Sequence, residues 1–246
     1  MFDAPSLIAI FATFLVAGAV KGVIGLGLPI LSLGLLTAAI GLPQAMALLL
    51  VPALVTNVWQ ALSGGSAKAI LRRTWPFLVM ATVTVWIGTA VLTRADLRLL
   101  SGLLGLLLVV YSLVSLAGFR LSISTSQEVW AGPAMGTVNG ILAGMTGSFG
   151  VPGVLYLQAI GLPRDMLIQS MGMLFAASTL ALAVALQGVG LLSQELGLAS
   201  SVALAPALAG MVAGRRLRGK IPEQRFRQVF FASLLLLGAY IIAQAI

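Results

Sequence analysis

The chain has no cysteine and no histidine, and only six acidic residues among 246. The first two absences exclude disulfides, Cys or His metal sites and any Ser/His catalytic arrangement. The acids are Asp3, Asp96, Glu128, Asp165, Glu195 and Glu223. All fall in or beside expected loops, so no carboxylate is expected at membrane depth, where proton- and sodium-driven carriers commonly hold one. The Gly-x-Gly patterns follow no strand and end in no Gly-Lys-Ser/Thr, so they are not dinucleotide or phosphate-loop fingerprints. No cofactor is expected.

What is present is apolar. Hydrophobic residues make up 60% of the chain and charged residues 8%, with a mean hydropathy of +1.10. Runs of about 20 apolar residues, enough to cross a hydrocarbon core, fill nearly all of it. The fold class is an all-α integral membrane protein, a single membrane domain over 1–246 with no room for a soluble domain. The net charge of +8 is read as orientation in the bilayer, since the basic residues sit in short loops, and no nucleic-acid partner is expected. The first apolar stretch has only Asp3 before it and no small-residue cleavage site, so a retained membrane segment is expected.

Eight segments can be drawn: 5–40, 43–63, 74–93, 97–118, 129–160, 163–187, 193–213 and 223–245. Six have ordinary spanning length. The first and fifth are too long, since a helix over 5–40 would run about 54 Å against a core of about 30 Å. Each is also interrupted by glycines and a proline, so both are expected to be broken or re-entrant. Backbone exposed by such a break is tolerated only inside protein or against a water-filled cavity.

The two breaks are copies. Gly18, Gly22 and Gly25 of AGAVKGVIGLGLPIL recur 122 residues later as Gly140, Gly144 and Gly147 of NGILAGMTGSFGVPGVL. Gly27 and Pro29 recur after 123 as Gly150 and Pro152. The tetrapeptide at Ile40 to Pro43 recurs after 120 at Ile160 to Pro163. Asp96-x-Arg98 resembles Glu223-x-Arg225, although an acid at a helix start also suits the macrodipole. This predicts two four-segment repeats, 1–120 and 127–246, with a site between them.

Loop charge suggests that the repeats are inverted. Lys68, Arg72 and Arg73 follow segment two, and the matching loop after segment six has no Lys or Arg. Arg94 and Arg98 follow segment three, and the matching region holds Arg215, Arg216, Arg218, Lys220, Arg225 and Arg227. If each broken segment returns to its starting side, Arg120, Arg164 and all but Arg94 and Arg98 of these loop charges collect on the cytoplasmic side, with both termini outside.

A break at membrane depth leaves half-helix ends whose free N–H groups attract anions. Gly25, Gly27, Gly147 and Gly150 are the candidates that open the breaks; Gly18/Gly22 and Gly140/Gly144 equally fit close helix packing. Lys21 is either a fixed positive charge for an anion or a side chain that reaches an interface. Its repeat counterpart is Ala143. Asn139, Thr146 and Ser148 supply donors at the second break, and Asn57, Ser178 and Thr179 lie mid-segment. Each hydroxyl has the alternative of bonding its own helix carbonyl, and each Asn that of an interhelical contact.

These motifs, with the Ile-Gly-Leu-Pro turns and Asn57 behind the first of them, resemble the sulfite exporter TauE/SafE family, also called the 4-toluene sulfonate uptake permease family. The resemblance covers the whole chain. It implies transport of sulfite, sulfoacetate or related sulfonates and carboxylates across the bacterial inner membrane, in either direction. The first reading is therefore a secondary transporter of small sulfur-containing anions. Its substrate-binding residues would be Lys21, Gly25, Gly27, Asn57, Asn139, Thr146, Gly147, Ser148 and Gly150, and its partners a small anionic substrate and the lipid bilayer. A homo-oligomer is compatible with the sequence. A channel-like pore for anions or neutral solutes is the alternative, a membrane scaffold subunit a third reading, and an enzyme the least supported.

Overall fold

The computed structural model describes residues 3–119, 121–218 and 222–246, with only the backbone of Glu223. Arg120 and Lys220, counted among the loop charges above, lie outside the described residues. Regular structure among the described residues is helical: α1 (Ala4–Ile24), α2 (Leu28–Ile40), α3 (Leu42–Leu62), α4 (Ala67–Val83), α5 (Val85–Leu92), α6 (Leu97–Leu116), α7 (Thr125–Thr146), α8 (Gly153–Ala159), α9 (Arg164–Gly188), α10 (Gln194–Leu217) and α11 (Glu223–Ala245). Seven helical stretches are long and apolar enough to cross a membrane, with α4 and α5 counted as one, and α2 is a shorter apolar helix. The chain is a multi-span membrane protein.

Helix starts follow from local chemistry. Asp3 caps α1 by accepting from the Ser6 N–H at 3.1 Å, and Asp96 caps α6 through the Arg98 N–H at 2.8 Å. These carboxylates satisfy otherwise orphaned donors. Segment three begins at Ala67 and not at 74. Lys68, Arg72 and Arg73 are therefore in the first turns of α4 and not in a loop. Arg215 and Arg216 likewise belong to the last turn of α10. Long basic side chains lie against a helix end while their heads reach the interface, so a hydropathy window reads such turns as loop.

The chain forms two compact units. Unit 1 comprises Met1–Pro52, Ala95–Phe119 and Gly190–Ile246; unit 2 comprises Ala53–Arg94 and Arg120–Val189. They interleave the halves of the sequence, since each holds one broken segment together with helices of the other half. Their boundary falls at Pro52 inside α3. Proline lacks the N–H that would bond the Leu48 carbonyl. Within unit 1 the Ser200 hydroxyl donates to that carbonyl at 2.9 Å and accepts from the Val51 N–H at 3.0 Å.

In unit 1, α1 packs along α10. A Cβ on Gly18 would strike the carbonyl of Ala207, and one on Gly22 that of Met211. Both helices advance by four, so they run parallel. In unit 2, α7 packs on α4 and α5 in the same way. A Cβ on Gly140 would meet the carbonyl of Ala81, and one on Gly144 that of Val85. The reverse contacts match too: Gly214 faces the Ala19 carbonyl, and Gly88 that of Ile141. A shift of 122 carries α1 onto α7, and one of 126 carries α4 and α5 onto α10, contact by contact. Glycine at these points lets backbones approach where no hydrophobic force drives helices together.

Candidate functional site

Both long segments are broken, and both breaks are hairpin tips. In unit 1, α1 ends at Gly25, whose φ is 77° and whose N–H bonds the Lys21 carbonyl at 2.8 Å. In unit 2, α7 ends at Gly147, with φ 73° and its N–H on the Ala143 carbonyl at 2.8 Å. Left-handed backbone with that bond is a helix C-cap that favours glycine.

After its tip, α2 runs back beside α11. Gly27 lies against Phe230 and Gly34 against Leu237, so both helices advance by seven in the same direction. A Cβ on Gly27 would also meet Val20, in the last turns of α1, so the chain folds back on α1 at its tip. The second segment closes on itself more visibly. The Ile123 N–H just before α7 bonds the Ala159 carbonyl at the end of α8 at 3.0 Å.

The tips do not sit halfway along their neighbours. Gly22 faces Gly214 and Arg215 in the last turn of α10, and Gly144 faces Gly88 and Thr89 near the end of α5. The first arms are long, 21 residues in α1 and 22 in α7, about 31 and 33 Å at 1.5 Å per residue, and the chain turns at their ends.

Lys21, Gly25 and Gly27 belong to unit 1, and Asn57, Asn139, Thr146, Gly147, Ser148 and Gly150 to unit 2. Lys21 is in the last turn of α1 and only 5% exposed. A cation there favours the helix C-terminal dipole. Gly27 has φ 102°, whereas Gly150 is not among the positive-φ glycines, so the two differ despite matching in sequence. Their tips differ as well, spanning residues 25–27 in one and 147–152 in the other, the latter with a cis Val151–Pro152 bond.

Hydroxyl chemistry separates the nominated residues. Thr146 donates to the Leu142 carbonyl at 2.7 Å and accepts from the Ser148 N–H at 3.2 Å. It has spent its proton on its own helix. Ser32, Thr74, Thr89 and Ser112 do the same. Asn139 takes a structural bond with one end only: its Oδ1 accepts from the Gly153 N–H at 2.9 Å and starts α8. Its Nδ2 is buried without a hydrogen-bond partner, as are Ser178 Oγ, Thr179 Oγ1 and Thr37 Oγ1. Each such atom costs about 1–3 kcal/mol. Asn57 and Ser148 are buried in unit 2.

Glu128 is a buried acid. It lies in the first turn of α7, its side chain 8% exposed. Arg73 grips it in a fork, Nη2 to Oε1 at 2.6 Å and Nε to Oε2 at 2.9 Å, and donates from Nη2 to the Ile160 carbonyl at 2.7 Å. One guanidinium thus binds the start of α7 to the end of α8. The amphipathic start of α4, with Arg73 five residues after Lys68, was the available sign. In unit 1 a cavity of about 230 Å³ opens beside the first Ile-Gly-Leu-Pro turn, lined among others by Thr37, Gln44, Arg98 and Gln244. None of the nominated residues lines it.

The profile of the sulfite exporter TauE/SafE family matches residues 10–241. The chain belongs to the sulfite exporter TauE/SafE family. It is therefore a membrane transporter of the sulfite-exporter type. No curated protein and no solved structure matches it.

Proposed function

We propose that this TauE/SafE protein is a secondary transporter, and not an enzyme, that moves small sulfur-containing oxyanions such as sulfite, sulfoacetate or related sulfonates across a bacterial inner membrane. The family match over residues 10–241 carries this reading. The chemistry of the described residues agrees with it: a buried lysine at one hairpin tip, neutral donors near the other, and a carboxylate already held by an arginine. Donors and a cation suit an acceptor-only substrate. Lys21, Gly25, Gly27, Asn57, Asn139, Thr146, Gly147, Ser148 and Gly150 are the residues we assign to its path, with Thr146 acting through the backbone of Ser148.

The duplicated hairpins and matched glycine contacts support two inverted repeats that rearrange around the substrate. Counting each hairpin as a return, Lys68, Arg72, Arg73, Arg164 and the arginines from Arg215 to Arg227 gather on one face, which the positive-inside rule makes cytoplasmic. Both ends of the described chain then face outward.

Counterflow in proteoliposomes tests the carrier mechanism. Vesicles loaded with unlabelled sulfite should accumulate labelled sulfite transiently above equilibrium. Flux that neither saturates nor shows counterflow would replace the carrier by a pore.

A further inference from the structure

We propose that Ser178 and Thr179, together with Asn139, form a three-donor subsite for the pyramidal SO3 group of sulfite or a sulfonate. This deepens the transporter reading and rests on it.

The three side chains share an unusual state. A buried helical Ser or Thr ordinarily donates to the carbonyl three or four residues before it. Ser32, Thr74, Thr89, Ser112 and Thr146 all do so in this chain. Ser178 and Thr179, adjacent and both 0% exposed, do not, and their oxygens have no hydrogen-bond partner. Asn139 cannot turn to satisfy its Nδ2, because its Oδ1 is committed to the Gly153 N–H.

Asn139 and α9 meet at the second hairpin. Gly153 is the shared reference: a Cβ there would meet Asn139 Oδ1 and Leu174 Cδ2 together. Phe149 of the same hairpin packs on Phe175 with ring centroids 6.3 Å apart. Ser178 and Thr179 follow Leu174 and Phe175 by four residues, so they continue the face of α9 that meets the hairpin. Asn139 lies 14 residues past the start of α7 at Thr125, and Ser178 lies 14 past the start of α9 at Arg164. About 21 Å of helix precedes each.

The chemistry then selects the ligand. An SO3 group presents three oxygens that accept and never donate. Asn139 Nδ2, Ser178 Oγ and Thr179 Oγ1 are three atoms able to donate. Neutral donors in a dry site bind an oxyanion without a second buried charge to desolvate. A carboxylate offers its acceptor sites in one plane, whereas the pyramidal SO3 group spreads them over three oxygens out of plane.

The test uses Ser178→Ala, Thr179→Val and the conservative Thr179→Ser in the full chain. Removing an orphaned hydroxyl should raise the melting temperature of the ligand-free protein by about 2 °C. It should also raise the KM for sulfite about tenfold for each hydroxyl lost, while Thr179→Ser keeps the wild-type KM. A lower melting temperature with an unchanged KM would mean that the hydroxyls only hold the helices, and would overturn the subsite while leaving the transporter. A wild-type protein with no saturable anion flux would remove both. Equal loss of affinity for sulfite and for acetate would overturn the SO3 selectivity.

Discussion

The hairpins α1/α2 and α7/α8 are alike where they pack and unlike where they carry polar groups. Both first arms end on a left-handed glycine bonded back four residues, and both lay glycines four apart on a parallel partner helix. Yet Lys21 stands where the second hairpin has Ala143, and Asn139 where the first has Ala17. Only the second has the Arg73–Glu128 fork at its base. The duplicated residues build a frame, and the residues that are not duplicated differentiate its two copies.

The frame itself gives the largest expected effect. Gly22→Val and Gly144→Val push a side chain into partner backbone, and overpacking of this kind costs about 3 kcal/mol or more where the backbone must move. Both variants should lose monodisperse protein on size-exclusion chromatography, to a similar degree. A tolerated change at one site and not at the other would break the equivalence of the frames.

The fork is the next test, because it belongs to one hairpin alone. Glu128→Ala should destabilise the protein by about 2 kcal/mol, less than for a fully buried pair because Arg73 is 36% exposed. Combining it with Arg73→Ala should recover part of that loss, read by thermal unfolding as a double-mutant cycle. Strict additivity of the two changes would show that the fork contributes no coupling.

The caps should give the smallest stability change. A Cβ on Gly25 meets nothing within 4 Å, so Gly25→Ala costs only the left-handed backbone, about 1 kcal/mol. Gly147→Ala, with nearly the same φ, should cost about the same. Gly25→Asn should cost less, since Asn tolerates this conformation. A far larger loss at Gly147 would assign it a contact that Gly25 lacks.

The sequence shows the frame well because packing needs repeat at fixed spacings. Gly18, Gly22 and Gly25 with their copies announce both the close contacts and the caps, and excess segment length announces the breaks. Where the tips lie is not legible, since nothing in the glycine spacing says how far along a neighbour a hairpin reaches. Glu128 is hidden for another reason: its partner, Arg73, is 55 positions away, and a one-dimensional reading sees only an acid near a loop. Among the hydroxyls, residue type alone cannot tell Thr146, which bonds its own helix, from Thr179, which does not. That distinction depends on rotamer and neighbours, which only the fold supplies.

The decisive measurement is uptake of radiolabelled sulfite and a panel of sulfonates into proteoliposomes, with wild type beside Lys21→Ala. Wild-type uptake should saturate and should fall in the variant, because Lys21 is the cation that one hairpin has and the other lacks. Saturable uptake unaffected by the substitution would remove Lys21 from the substrate path, and the absence of saturable uptake for every anion would contradict the assignment of sulfur oxyanions as substrates.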